Sequence, residues 1–160
     1  MNKAQLQQRI LHQLGNDLQI AQRAAQTAYE AATDKANIAE NKYDTLGLEA
    51  SYLAAGQARR LAEINQALTV LQQLPISDFD PQRGIQMGAL VLLSNAAEQQ
   101  RWLLLAPDAA GLKFNDGERE IMLITPHSPM GQRLLGQLPG SEFELNIANH
   151  LQQFAILQVL

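Results

Sequence analysis

The chain has 160 residues, a net charge of -4 and 46% hydrophobic residues. That is apolar material for one ordinary domain or two small ones and too much for a disordered chain, while the negative balance gives no general attraction to nucleic acid and leaves only a local basic patch open. Cysteine is absent, so neither a disulfide framework nor a thiolate metal site is available, which fits a reducing compartment.

The N-terminus, Met1-Asn2-Lys3-Ala4-Gln5, is not followed by an apolar stretch, so no secretory signal is read there. The longest apolar runs, Ala89 to Leu93 and Trp102 to Ala106, fall far short of a bilayer span, and a soluble cytoplasmic protein is expected. From about Ala4 to Leu74 the chain is rich in Ala, Leu, Gln and Glu, all good helix formers. Leucine and alanine recur in alternating steps of three and four at Leu11, Leu14, Leu18, Ala21, Ala25, Ala28 and Ala32. The pattern returns as its mirror image at Ala50, Ala54, Gln57, Leu61, Ile64, Leu68 and Leu71. Such spacing is a heptad seam, and two seams without an intervening proline predict an antiparallel helical hairpin. Pairing Leu11 with Leu71, Leu14 with Leu68, Leu18 with Ile64 and Ala32 with Ala50 puts the turn near Asn41. A dimer of single long helices satisfies the same heptads; a monomeric hairpin is the expectation.

At about 1.5 Å per residue, arms of roughly 30 residues make a rod on the order of 45–50 Å long. Its seam residues are large at the base and small toward the turn, which predicts a slender far end. Gly15 and Gly56 weaken the arms by about 1 kcal/mol each relative to alanine, and Pro75 ends the second arm. Around the turn lie Asp34, Asn37, Glu40, Asn41, Asp44 and Glu49.

Pro75, Asp78, Asp80, Pro81 and Gly84 mark a loop, and the domain boundary is placed there: 1–76 for the hairpin, 84–160 for a second, strand-rich domain. Apolar runs at Gly88–Ser94, Arg101–Ala106 and Glu120–Thr125, an alternating stretch at Glu142–Ile147 and a final run at Gln153–Leu160 predict four or five strands in a small, mostly antiparallel sheet. In Glu142–Ile147 the alternation points Phe143, Leu145 and Ile147 inward. Trp102 is expected in the core, and Asp116-Gly117 is expected to form a turn. One short helix interrupts the strands: Ser128 caps it, Pro129 opens it and Gly136 stops it, with Met130, Leu134 and Leu135 as its apolar face. The predicted class is therefore α+β.

Motifs of independent chemistry are missing. His12, His127 and His150 do not stand at metal-ligand spacing on one element, and no phosphate loop, dinucleotide fingerprint or nucleophile elbow is present. The acidic turn is different. Glu40 and Asp44 fall where the hairpin reverses, and a rod ending in carboxylates has too few ligands to hold a divalent cation alone but can lend one to a magnesium site built elsewhere.

The plan resembles the Gre family of bacterial transcription elongation factors, the GreA/GreB transcript-cleavage factors, over nearly the whole chain. Ser128-Pro129-Met130-Gly131-Gln132-Arg133-Leu134-Leu135-Gly136, followed by Gly140-Ser141-Glu142-Phe143-Glu144-Leu145, looks like the family's C-terminal helix and the strand after it. Asn37-Ile38-Ala39-Glu40-Asn41 is similar to the family's tip, and Glu49-Ala50-Ser51-Tyr52-Leu53-Ala54-Ala55 to the start of its returning helix. Anchoring on Tyr52 puts the two tip acids of the family at Thr45 and Leu48. Anchoring on Asn37–Asn41 puts them at Asn37 and Glu40, and the mirror symmetry of the seam favours this choice. Asp44 then stands one turn on as a substitute.

The resemblance implies an FKBP-like C-terminal domain that meets RNA polymerase at the rim of its secondary channel, here through Ser128, Pro129, Met130, Leu134 and Leu135. It implies a coiled coil entering that channel, with Glu40 and Asp44 at its tip assisting the polymerase in cleaving the RNA of a backtracked complex. The factor is then not itself an enzyme, carries no cofactor, and meets Mg2+ only in the polymerase active site. Nascent RNA is an implied second partner, with Arg59 and Arg60 placed to face it; no membrane partner is implied. Two alternatives remain: a secondary-channel regulator or competitor without cleavage, and, more remotely, an FKBP-like prolyl isomerase or chaperone. The aromatic content of four Phe, three Tyr and one Trp supplies an isomerase pocket poorly.

Overall fold

The computed structural model of the chain describes residues 2–34 and 46–160. Two helices come first, α1 (Lys3–Thr33) and α2 (Leu46–Gln72), and form the hairpin. At about 1.5 Å per residue they are roughly 45 and 40 Å long. The predicted reversal near Asn41 lies outside the described residues, as do Glu40 and Asp44. All fourteen predicted seam positions are buried or half-buried. The deepest are Leu14, Ala21 and Ala28 on α1, each seven residues from the next, and Ile64 and Leu71 on α2. Ala67, outside the predicted seam, is as buried as its neighbours. Two hydrogen bonds near the base fit the antiparallel order: the Gln7 side-chain amide donates to the carbonyls of Leu71 (2.9 Å) and Leu74 (3.2 Å). The Leu71 carbonyl also accepts from the Leu74 N–H at 3.2 Å, and the glutamine from the other arm adds a second donor at this helix end.

The chain divides into two compact units, Gln8–Thr69 and a second made of Met1–Gln7 with Val70–Leu160. The second unit is built on a six-stranded sheet: β1 (Leu90–Asn95), β2 (Gln100–Leu105), β3 (Lys113–Asn115), β4 (Glu120–Ile124), β5 (Glu142–Ile147) and β6 (His150–Val159). Their spatial order is β3-β4-β2-β1-β6-β5. All neighbours are antiparallel except β2 and β4, which run parallel from Trp102 beside Ile121 to Leu105 beside Ile124. The sheet thus has one strand more than the sequence predicts. The extra one, β3, is three residues long, too short for any alternation to be read. The last strand also starts earlier than predicted, because Ala148 and Asn149 both take positive φ (51° and 65°) and close a two-residue turn that pairs Ile147 with His150. Consecutive left-handed residues match the twist of a tight hairpin, and asparagine tolerates that region well.

One face of the sheet is buried, and the other is buried over β1, β2 and β4 but exposed at β5. The first carries Val91, Leu93, Leu103, Leu105, Phe143, Phe154 and Ile156, with Leu134 and Ile85 packed among them. Phe143 and Phe154 stack with centroids 5.6 Å apart. The other carries Leu90, Leu104, Ile121 and Leu123, each 3% exposed or less. Trp102 is half-buried rather than core, and the Arg119 guanidinium lies over its ring at 5.5 Å. Leu145 packs against the core, but Ile147, expected inward as well, is 40% exposed because β5 runs on past the core.

Candidate functional site

The short helix α3 (Pro129–Leu134) forms where its sequence predicts. Ser128 is the N-cap: its Oγ accepts from the Gly131 N–H at 3.0 Å and its hydroxyl donates to the Thr125 carbonyl at 2.7 Å. One side chain therefore satisfies a helix-start donor and ties α3 to the end of β4. Pro129 occupies the first turn, where its missing N–H costs nothing. Gly136, with φ of 75°, follows the helix end, and its N–H donates to the Ile85 carbonyl at 2.8 Å. Gly131 is demanded by packing: a Cβ there would run into the Thr125 carbonyl oxygen.

This geometry sorts the five residues expected at a polymerase contact. Leu134 is 0% exposed and belongs to the core. Met130 is half-buried and packs against that core. The Ser128 hydroxyl is occupied by backbone. Pro129 and Leu135 stand on the surface, Leu135 at 39% exposure, so the predicted three-residue apolar face is divided. Leu134 is the last helical residue and Leu135 is the C-cap with non-helical backbone, so the two side chains leave the chain in different directions and only one reaches the interior. The exposed side of α3 adds Gln132 and Arg133, and the Arg133 guanidinium lies 5.7 Å from the Phe143 ring centroid.

Arg59 and Arg60 are both exposed on α2. Arg60 forms a 3.7 Å ion pair with Glu63 one turn on, a solvated contact of little energy. Among the described residues, five large apolar side chains, Ile20, Tyr29, Leu48, Tyr52 and Leu53, are exposed on the same hairpin. Spacing alone did not single them out, since an exposed apolar residue on a helix looks like any other helix former. His12, His127 and His150 are exposed and far apart in sequence. Among the described residues no group of three or more His, Asp or Glu side chains is placed to hold a metal ion, and no helix is long and apolar enough to cross a membrane.

Two features of the sheet unit went unpredicted. Lys3 reaches the Gly88 carbonyl at 3.4 Å, and burial pushes its ammonium below the ordinary 10.5, with the negative charge of Asp78 opposing the shift. A cavity of about 390 Å³ also opens beside β5 and β6, lined by Asn95, Ala96, Glu142, Glu144, Gln153 and Ala155, with the two stacked phenylalanines below. The alternation of Glu142 and Glu144 was legible; the concavity depends on Asn95 lying beside Phe154 of β6, far along the chain, and was not.

No protein-family model matches the chain, and no curated protein sequence matches it. Solved structures similar to it include GreA factor homolog 1 (Gfh1) of Thermus thermophilus, at 22% identity and a TM-score of 0.40 over 98% of this chain and 93% of that one. Gfh1 of Thermus aquaticus stands at 22% identity and a TM-score of 0.39, covering 99% and 94%. A prokaryotic transcription elongation factor GreA/GreB from Nitrosomonas europaea stands at 18% and 0.36, covering 69% and 91%. These likenesses are distant.

Proposed function

We propose that the chain is a Gre-like elongation factor that acts on bacterial RNA polymerase in the cytoplasm as a monomer. The sheet unit docks at the rim of the secondary channel through the surface of α3, the hairpin enters the channel, and backtracked complexes are rescued by stimulated RNA cleavage. The observation that carries this reading is a pairing of parts: a hairpin of 31- and 27-residue helices on the same chain as a small sheet whose short helix is capped, opened and stopped by Ser128, Pro129 and Gly136. The motif that resembles the family's C-terminal helix is thus a helix, in the right place along the chain.

In this reading the chain has no catalytic centre or cofactor of its own. Glu40 and Asp44 bring carboxylate oxygens to a magnesium ion held by the polymerase, a hard cation that keeps open positions for such ligands. Arg59 and Arg60 offer positive charge to the nascent RNA. The test is a stalled, backtracked elongation complex incubated with the protein and magnesium. Short 3′ RNA fragments are expected, and they should vanish with Glu40→Ala combined with Asp44→Ala. Fragments that persist in the double variant would remove the tip from the mechanism.

A second reading is a channel regulator without cleavage. It is favoured by the tip sequence, where either alignment leaves a family acid on a non-acidic residue: Asn37 in one case, Thr45 and Leu48 in the other. Saturable binding to the polymerase with no fragment release would select it.

A further inference from the structure

The two edges of the sheet differ. β3 is three residues long and carries the 3.1 Å ion pair between Lys113 and Glu120, so it offers little to a neighbouring strand. β5 offers six residues without proline. Among the described residues, the backbone of Glu142–Ile147 makes no hydrogen bond beyond its ladder with β6, so the outward groups of every second residue are open. A strand edge of that kind is a template for another chain.

We infer that β5 is a docking edge for an extended segment of another protein, one that alternates basic and apolar residues. The apolar half of that pattern follows from the inner face. Phe143 is core, Leu145 packs against it, and Ile147, at 40% exposure, continues the same row beyond the core. A strand added at β5 would extend this row. The basic half follows from the outer face, where Glu142 and Glu144 are exposed and border the cavity of about 390 Å³ whose other walls are Asn95, Ala96, Gln153 and Ala155. Among the described residues, no basic side chain lines it. Side chains directly opposite in paired strands stand about 5 Å apart, within reach of lysine or arginine for either glutamate. Main-chain pairing then supplies affinity, and alternate side chains supply selectivity.

A second copy of this chain is the poorer occupant. Antiparallel self-pairing centred on Phe143 sets Glu142 against Glu144, and pairing centred on Glu144 sets that residue against itself. Like charges directly opposite are destabilising. The glutamates thus oppose self-association and favour a cationic strand.

The experiment titrates the full-length protein with three labelled eight-residue peptides: alternating lysine and valine, the same composition in two blocks, and alternating glutamate and valine. The alternating lysine peptide should bind more tightly than the block peptide by about tenfold, equivalent to about 1.4 kcal/mol. Binding should slow amide exchange in β5 and leave β3 unchanged. Glu142→Lys with Glu144→Lys, both at exposed positions, should invert the preference toward the glutamate peptide. Equal affinity for alternating and block peptides, protection at β3 instead of β5, or an unchanged preference in the double variant would overturn the proposal. So would concentration-dependent dimerisation through β5 in the absence of peptide.

Discussion

The hairpin and the sheet unit solve the same burial problem with different materials. The hairpin buries one stripe, much of it alanine at Ala21, Ala28 and Ala67, and leaves Ile20, Tyr29, Leu48, Tyr52 and Leu53 more than half exposed. The sheet buries one face, and the other over β1, β2 and β4, with leucine, isoleucine, valine and phenylalanine, and adds a capped helix against the first. Alanine contributes little on burial, so the hairpin relies more on helix propensity and on continuity of its seam, whereas the sheet unit relies on close packing. Substitutions should therefore act by different mechanisms in the two regions. Fluorescence of Trp102, the single tryptophan, follows the sheet unit, and far-ultraviolet circular dichroism follows the helices.

The largest effect is expected from Leu134→Ala. This fully buried side chain joins α3 to the sheet, and its truncation should cost about 2–5 kcal/mol in urea unfolding followed at Trp102. A loss below 1 kcal/mol would mean that the site collapses around the cavity and that the packing contrast is overstated.

Next come two glycines with opposite signs. Gly131→Ala drives a methyl group against the Thr125 carbonyl and should cost about 1–3 kcal/mol through overpacking. Gly56→Ala meets open space inside α2 and should stabilise the hairpin by about 0.5–1 kcal/mol, read from the helical signal. If both substitutions shifted stability in the same direction, the division between a packing-limited sheet and a propensity-limited hairpin would fail.

Ser128→Ala removes the cap of α3 and its tie to Thr125. It should cost about 1 kcal/mol, with Ser128→Thr keeping most of the stability. If binding to the proposed partner, RNA polymerase, falls in parallel with stability across this pair, the hydroxyl acts by shaping α3 rather than by direct contact.

The smallest effect is electrostatic. The folded state disfavours charged Lys3 because burial lowers its pKa from the ordinary 10.5. As pH rises through that lowered value, the folded chain gives up the proton while the unfolded chain keeps it until about 10.5, so stability rises across this window. Lys3→Met should abolish that rise, measured as the difference in urea midpoint between variant and parent from neutral to alkaline pH. A difference that stays flat would show that Lys3 is solvated in the folded state.

Most of the candidate site was readable from local signals, and its division was not. The serine, proline and glycine around α3 act within four residues of themselves, so their roles follow from the chain alone. Which of Leu134 and Leu135 is buried depends on where the helix lands on the sheet. The cavity beside Glu142 and Glu144 needs strands brought together from distant parts of the chain. Glu40 and Asp44 lie outside the described residues, so their place rests on the symmetry of the seam.

What the sequence determined by itself was periodic or local: the heptad seam of both arms, the alternation of β5, the glycine after α3. Such features are fixed by neighbours one or two turns away and need no partner to be written into the chain. Only the tertiary structure decided the parallel pairing of β2 with β4, the existence of β3, the bulge between Leu92 and Leu93, and the open edge at β5. Each depends on which strand lies alongside, and the hydrogen bonds that choose a neighbour are made by backbone groups that every residue shares.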